Sequence, residues 1–137
     1  MSLYEVRNSL IHGKGCFAIT LITKDTIIDE YTGKIISQEE YDQLVLQGKA
    51  DHIVVCNGIL IDGMQGGNNA CYLNHSCNPN VSYFIQDDRF FFKAKKDIQK
   101  GEELTWDYEY EEDEIYSCDC KSAECRGFMN APLSIKN

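Results

Sequence analysis

Asn74-His75-Ser76-Cys77-Asn78-Pro79-Asn80 concentrates a thiol, an imidazole, a proline and three asparagines in seven residues. Asn78-Pro79 marks an extended turn, because proline drives the residue before it away from helical geometry. A second run, Cys118-Asp119-Cys120-Lys121-Ser122-Ala123-Glu124-Cys125, brings three more thiols. A structural zinc takes four ligands in a tetrahedron, so the second run is one ligand short. Cys77, Cys71 and His75 all stand in or beside the first run as candidates for the missing place. The runs lie about forty residues apart, so a shared metal requires the chain to fold back on itself. Cys118 and Cys120, only one residue apart, chelate one ion if the backbone there is extended or bulged.

Upstream, Gly66-Gly67-Asn68-Asn69 leads into Tyr72-Leu73 and then Asn74. A glycine pair with asparagines indicates irregular backbone whose polar groups are satisfied locally, and such loops often carry function. Gly13-Lys14-Gly15 reads as a turn that allows close backbone approach. It is no dinucleotide fingerprint, since no third glycine follows and no helix opens there. Short strands dominate the remainder. Residues 26–31 read as a strand closed by Gly33. Residues 52–56 and 59–61 flank Asn57-Gly58, a strong hairpin signal. Residues 81–86 and 89–94 flank Asp87-Asp88, and residues 103–106 form a last strand. One helix is predicted near residues 37–47. Ser37 and Glu40 make a capping box, Tyr41, Leu44 and Val45 share one face, and Gly48 stands at the C-cap position. Trp106 and Tyr108 point to one face of an extended segment. With Tyr31 they line an aromatic slot or join a packed core. The class is mainly β with a minor α contribution.

The chain has 137 residues, 43% of them hydrophobic and 26% charged, and a formal net charge of −9. That suits one soluble domain. No apolar run approaches the ~20 residues of a membrane span, and no secretory pattern opens the chain. Six acids fall within residues 107–114. An acidic protein is a poor partner for phosphate backbones and attracts basic substrates. No direct nucleic-acid binding and no membrane contact are expected. Seven cysteines, an odd number, favour reduced, metal-binding thiols in an intracellular protein over a disulfide framework. Cys16 and Cys56 sit in apolar strand contexts and read as core thiols.

These motifs, in this order, resemble the SET-domain protein lysine methyltransferases. The residues that carry the likeness are Gly13-Lys14-Gly15-Cys16-Phe17-Ala18, Glu30-Tyr31-Thr32-Gly33, Gly67-Asn68-Asn69-Ala70, the run at residues 74–80, and Gly101-Glu102-Glu103-Leu104-Thr105-Trp106-Asp107-Tyr108. The segment from Cys118-Asp119-Cys120 through Cys125-Arg126-Gly127 looks like a post-SET motif. The resemblance implies small curved sheets around a pseudoknot, with residues 1–113 as the SET domain, 114–130 as a zinc-binding tail and 131–137 as an extension. It implies S-adenosylmethionine in one cleft and a lysine entering from the opposite face. It places Lys14, Gly15, Cys16, Tyr72, Asn74 and His75 at the cofactor, with Phe128 closing over it. It places Cys77, Cys118, Cys120 and Cys125 on a structural zinc. Tyr108 matches the catalytic tyrosine, Tyr31 lines the lysine channel, and Trp106 takes the position where Phe or Tyr tunes methyl number.

The sequence departs from the family pattern at Cys71, where an arginine is usual, at Lys34, where a glutamate is usual, and at Trp106. The implied reaction is methyl transfer to a lysine of a basic protein or peptide, a histone-like tail among the candidates. The alternative is a catalytically silent SET module that binds a peptide or the cofactor without turnover. A third reading, a zinc-stabilised interaction domain without cofactor, is separated from both by cofactor binding.

Overall fold

The computed structural model describes residues 2–108, 120, 122, 123, 125–127 and 129. Cys118 and Phe128 lie outside the described residues, as do residues 109–114 of the acidic stretch. The described elements are ten short strands, one α-helix and a single 3₁₀ turn, arranged in three small sheets. A mainly β architecture with one short helix matches the expectation.

The first sheet has the order β1-β2-β10-β7, from Tyr4–Asn8, Lys14–Ala18, Glu103–Trp106 and Asn74–His75. β1 and β2 form an antiparallel hairpin with Val6 opposite Cys16. Of the glycine motif, only Gly13 belongs to the turn, while Lys14 and Gly15 open β2. β1 is not among the strands expected from the sequence, although Tyr4-Glu5-Val6-Arg7 alternates apolar and polar residues as a strand does. β10 adds antiparallel to β2, and β7 adds parallel to β10 with Thr105 opposite Asn74 and Trp106 opposite His75. β7 is two residues long, too short for any periodicity to reveal it.

β3 (Ile27–Tyr31), β9 (Arg89–Ala94) and β8 (Val81–Gln86) make the second sheet. Asp87 and Asp88 both take positive φ at its hairpin tip, the primed-turn geometry that suits the right-handed twist of paired strands. Alternation along β9 sends Phe90 and Phe92 into the core and leaves Phe91 stacked on Phe84 on the other face. The third sheet joins β4 (Lys34–Ile36), β6 (Ile59–Asp62) and β5 (Ile53–Cys56). Asn57 and Gly58 close its hairpin with positive φ.

α1 spans Gln38–Leu46. Ser37 Oγ accepts from the Glu40 N–H at 3.1 Å, one half of the capping box. The Glu40 carboxylate turns instead to Lys34 Nζ and Gln65 Nε2. Gly48 has positive φ directly after the helix, where a left-handed residue closes the last turn without a Cβ clash. The apolar face is narrower than predicted: Tyr41 and Leu44 are half-buried, while Val45 is exposed.

Phe92, Ile22, Leu73, Ile98, Leu104 and Val81 are the largest apolar side chains sealed in the core. Each contributes on the order of 1.5–3 kcal/mol by leaving water. Ile22 and Ile98 exchange both backbone hydrogen bonds, and this bridge pins the chain before β3 to the chain before β10. Cys16 and Cys56 are fully buried, as expected of core thiols.

Candidate active site

The parallel pairing of β7 with β10 brings the two decisive stretches of sequence side by side. Asn80 fastens them: its Nδ2 donates to the Glu103 carbonyl at 2.9 Å and its Oδ1 accepts from the Thr105 N–H at 2.9 Å. The Ser76 N–H donates to the Trp106 carbonyl at 3.1 Å. The Tyr108 N–H donates to His75 Nδ1 at 3.1 Å. Tyr108 is thereby set against the loop that carries Asn74 and His75, thirty residues earlier in the chain.

Asn74 is buried, and its Nδ2 faces three oxygens: the His12 carbonyl at 3.1 Å, the Lys14 carbonyl at 3.0 Å and Glu103 Oε2 at 2.9 Å. An amide nitrogen is a donor and an amide oxygen an acceptor, so three oxygens fix which way this amide points. A Cβ on Gly15 would collide with the Glu103 carboxylate and lie 3.1 Å from Asn74 Nδ2. Only glycine lets β2 approach so closely.

His75 is sealed from solvent. Burial drives its pKa down to about 4, with Asp107 opposing and Arg126 assisting. The ring is neutral, and because Nδ1 accepts from Tyr108, Nε2 carries the proton. Nε2 lies 3.4 Å from Cys77 Sγ. His75 is thus a hydrogen-bond donor to a thiol.

The sulfurs of Cys77, Cys120 and Cys125 lie within 4.8 Å of one another. A tetrahedral zinc with sulfurs at about 2.3 Å sets its thiolates roughly 3.8 Å apart, so the cluster needs little adjustment to hold one. N–H groups point at the same sulfurs: Arg126 N to Cys77 Sγ and Gly127 N to Cys125 Sγ, both at 3.3 Å. Donors of this kind stabilise thiolate charge and orient metal ligands, so the donor set suits zinc. Of the three candidates for the fourth ligand, Cys77 joins the cluster, His75 stands beside it, and Cys71 is buried elsewhere. Cys71 packs at Gly63, and its carbonyl accepts from His52 Nδ1 at 2.9 Å.

Arg126 also forms a fork on Asp107, Nη1 to Oδ2 at 2.7 Å and Nη2 to Oδ1 at 3.0 Å. Such bidentate pairs are among the stronger hydrogen bonds. The cysteine-bearing tail is therefore tied by side-chain bonds to the residue next to Tyr108. Arg126 belongs to the post-SET-like segment, but nothing in the sequence marked its pairing with Asp107.

The Tyr108 hydroxyl donates to the Leu73 carbonyl at 3.0 Å. Its ring centre is 5.1 Å from both His75 and Trp106. Trp106 meets Phe92 at 5.1 Å, Phe90 at 5.7 Å and Tyr83 at 5.9 Å. Trp106 and Tyr108 do share a face. Tyr31 is buried behind Phe90 and Phe92 at ring distances of 5.9 and 6.1 Å, and its hydroxyl donates to the His52 carbonyl. The phenylalanines of β9 were missed as site residues, although their period-2 spacing places them together. A groove of about 340 Å³ runs beside Trp106, Asp107, Cys77 and Tyr83.

Lys14 Nζ sits 5.9 Å over the Tyr72 ring, whose centre is 5.9 Å from that of His52. His52 also lines a cleft of about 530 Å³ with Glu40, Asp51, Asp62 and Met64. Cys16 presents no reactive thiol here, because burial, with Cys71 close by, raises its pKa.

A mainly β domain of three small sheets, in which a neutral histidine and a tyrosine meet beside a thiol cluster, defines a narrow class. A family model for the SET domain matches residues 13–109, and the chain belongs to the SET-domain family. It is 35% identical over 133 residues to an H3 lysine-4-specific histone-lysine N-methyltransferase of Schizosaccharomyces pombe, covering 89% of this chain and 14% of the relative. It is 37% identical over 134 residues to histone-lysine N-methyltransferase trr of Drosophila melanogaster, covering 89% of this chain and 6% of the relative. The likeness to histone-lysine N-methyltransferase set1 of Dictyostelium discoideum is 34% over 137 residues, covering 92% and 9%. The chain thus spans 6–14% of the length of these relatives. Among the described residues no helix is long and apolar enough to cross a membrane.

Proposed function

We propose that this chain is the catalytic domain of an S-adenosylmethionine-dependent protein-lysine N-methyltransferase acting on a basic, histone-like segment. The observation that carries this reading is the Tyr108 hydroxyl fixed on the Leu73 carbonyl, one residue before Asn74 and beside His75 and Trp106. Support comes from the three relatives, each named as a histone-lysine methyltransferase.

S-Adenosylmethionine, when bound, supplies an electrophilic methyl group on a sulfonium. In this reading Lys14, Gly15, Cys16, Tyr72, Asn74 and His75 hold it, mostly through backbone and amide groups, and Phe128 closes over it. The Tyr108 hydroxyl commits its proton to Leu73, so its oxygen presents lone pairs to the N–H of an incoming amine. That contact orients the amine rather than removing its proton. A lysine must be neutral to react, and its ordinary pKa is near 10.4. Trp106 and Tyr83 line the groove, with Phe90 and Phe92 packed behind them in the core, and desolvation against this aromatic wall lowers the pKa of the amine. Holding the two reactants in line supplies much of the rate, up to roughly 7–11 kcal/mol in well-oriented systems. Tyr31, through Phe90 and Phe92, backs this wall.

Cys77, Cys120 and Cys125, with Cys118, would bind one structural zinc and leave no open position on it. The reduced thiols this requires suit an intracellular setting. The net charge of −9 and the carboxylates of Glu40 and Asp51 in the larger cleft favour a basic substrate.

The test is transfer of a labelled methyl group to histone and host-lysate proteins by the zinc-loaded chain, against Tyr108→Phe. Label on lysine that is lost in Tyr108→Phe, with cofactor affinity kept, is the expected result. Equal labelling by both proteins removes the role given to Tyr108, and cofactor binding without labelling favours a silent module.

A further inference from the structure

Two adjacent glutamates stand at the start of β10, Glu102 just before the strand and Glu103 as its first residue, and they have different surroundings. Glu102 is exposed, and its Oε1 caps the Gln99 N–H of the preceding turn at 2.9 Å. Glu103 is half-buried and turned to the site. Its carboxylate accepts the Ser9 hydroxyl at 2.8 and 2.9 Å and Asn74 Nδ2 at 2.9 Å. Ser9 Oγ in turn accepts the Ile11 N–H at 3.0 Å, and the Ser9 N–H donates to the Gly13 carbonyl at 2.8 Å. One carboxylate therefore joins the loop at residues 9–13, the start of β2 and the amide of Asn74. Gly15 closes the fit, since any side chain there would displace the carboxylate.

We infer that Glu103 is a positioning residue for the cofactor. It holds the Asn74 amide with its nitrogen inward, and it holds the 9–13 loop against that amide. With Nδ2 spent on His12, Lys14 and Glu103, the acceptor Oδ1 is the side-chain atom that remains to meet a ligand; no hydrogen bond among the described residues uses it. Glu103 itself touches neither reactant. Without the carboxylate, the amide loses its one charged partner among the described residues and is able to turn over, placing a donor where an acceptor is needed.

This inference rests on the reading that Asn74 faces the cofactor. The experiment measures S-adenosylmethionine dissociation constants by calorimetry, and cofactor and peptide KM values, for zinc-loaded wild type, Glu103→Ala, Glu103→Gln, Ser9→Ala, Glu102→Ala and Asn74→Ala. Glu103→Ala is expected to weaken cofactor binding about tenfold to a hundredfold, the usual effect of losing a hydrogen bond to a charged group. Glu103→Gln keeps one acceptor and should recover much of that loss. Ser9→Ala should lose a few-fold, and Glu102→Ala nothing. Peptide KM at saturating cofactor should stay unchanged, a split that general loosening of the fold does not produce. In an Asn74→Ala background the Glu103 effect should vanish. Should Glu103→Ala fail to fold, Glu103→Gln and Ser9→Ala carry the test, and wild-type affinity in both overturns the inference. If Asn74→Ala weakens binding and Glu103→Ala does not, the inference fails alone. If Asn74→Ala binds normally, the cofactor role of Asn74 fails, and this inference with it.

Discussion

Replacing Asn80 by alanine removes the clasp between the two stretches that build the site. Asn80 is 7% exposed, and its two hydrogen bonds, both 2.9 Å, satisfy the Thr105 N–H and the Glu103 carbonyl. The Thr105 bond is wholly buried, so water cannot replace it. Leaving a buried backbone donor unpaired costs about 1–3 kcal/mol, and the partly accessible carbonyl adds less. The expected loss is about 2–4 kcal/mol, or a fall in Tm of about 5–15 °C for a domain of this size. Urea denaturation with zinc present is the assay, read as a shift in midpoint at constant m. Asn80→Asp sharpens the test. Aspartate keeps an acceptor for the Thr105 N–H but turns an oxygen toward the Glu103 carbonyl. Repulsion raises its folded pKa above the ordinary ~3.9. The deficit is then full above the raised pKa and shrinks as the pH falls through it, because the protonated acid donates to the carbonyl again. Reading Asn80→Asp against Asn80→Ala at each pH cancels the titration of the zinc site and of other carboxylates. A loss below about 1 kcal/mol for Asn80→Ala, or no pH dependence of the difference, refutes the clasp.

Gly15→Ala should destabilise by about 1–3 kcal/mol through overpacking against Glu103, and the same urea assay reports it. Arg126→Lys loses the fork on Asp107 that a single ammonium cannot reproduce; its zinc should pass to a chelating dye several-fold faster than wild type. Thiol alkylation at neutral pH should leave all seven cysteines of the zinc-loaded chain unmodified. After chelation Cys77, Cys118, Cys120 and Cys125 should react, while Cys16, Cys56 and Cys71, whose pKa values burial raises, stay protected until the chain unfolds. Early labelling of Cys71 would contradict its place in the core.

Hairpins, helix and core thiols were legible because each rests on neighbours in sequence. Asn57-Gly58 and Asp87-Asp88 lie between runs of strand-forming residues, and Ser37 and Gly48 bracket α1. The strands β1, β4 and β7 were not legible. β4 and β7 are short, and each exists only because a partner strand from elsewhere offers its edge, while β1 forms in a hairpin with β2. The narrow apolar face of α1 has a similar origin: Val45 obeys the helical period but meets no neighbour.

The sequence by itself determined the family, through five ordered motifs, and the chemical types at the site: thiols, an imidazole, a phenol and amides. Residue type and order are properties of the chain, and they survive without coordinates. The resemblance already pointed to Cys77, and the tertiary structure brings its sulfur to those of Cys120 and Cys125 while leaving Cys71 in the core. Only the tertiary structure revealed the hydrogen bonds by which Asn80 and Glu103 join distant segments, that Arg126 ties the tail to Asp107, and that His75 offers a proton to a thiol. Those assignments depend on distances between segments that parallel pairing of β7 with β10 brings together, and no local signal in the chain encodes a long-range distance.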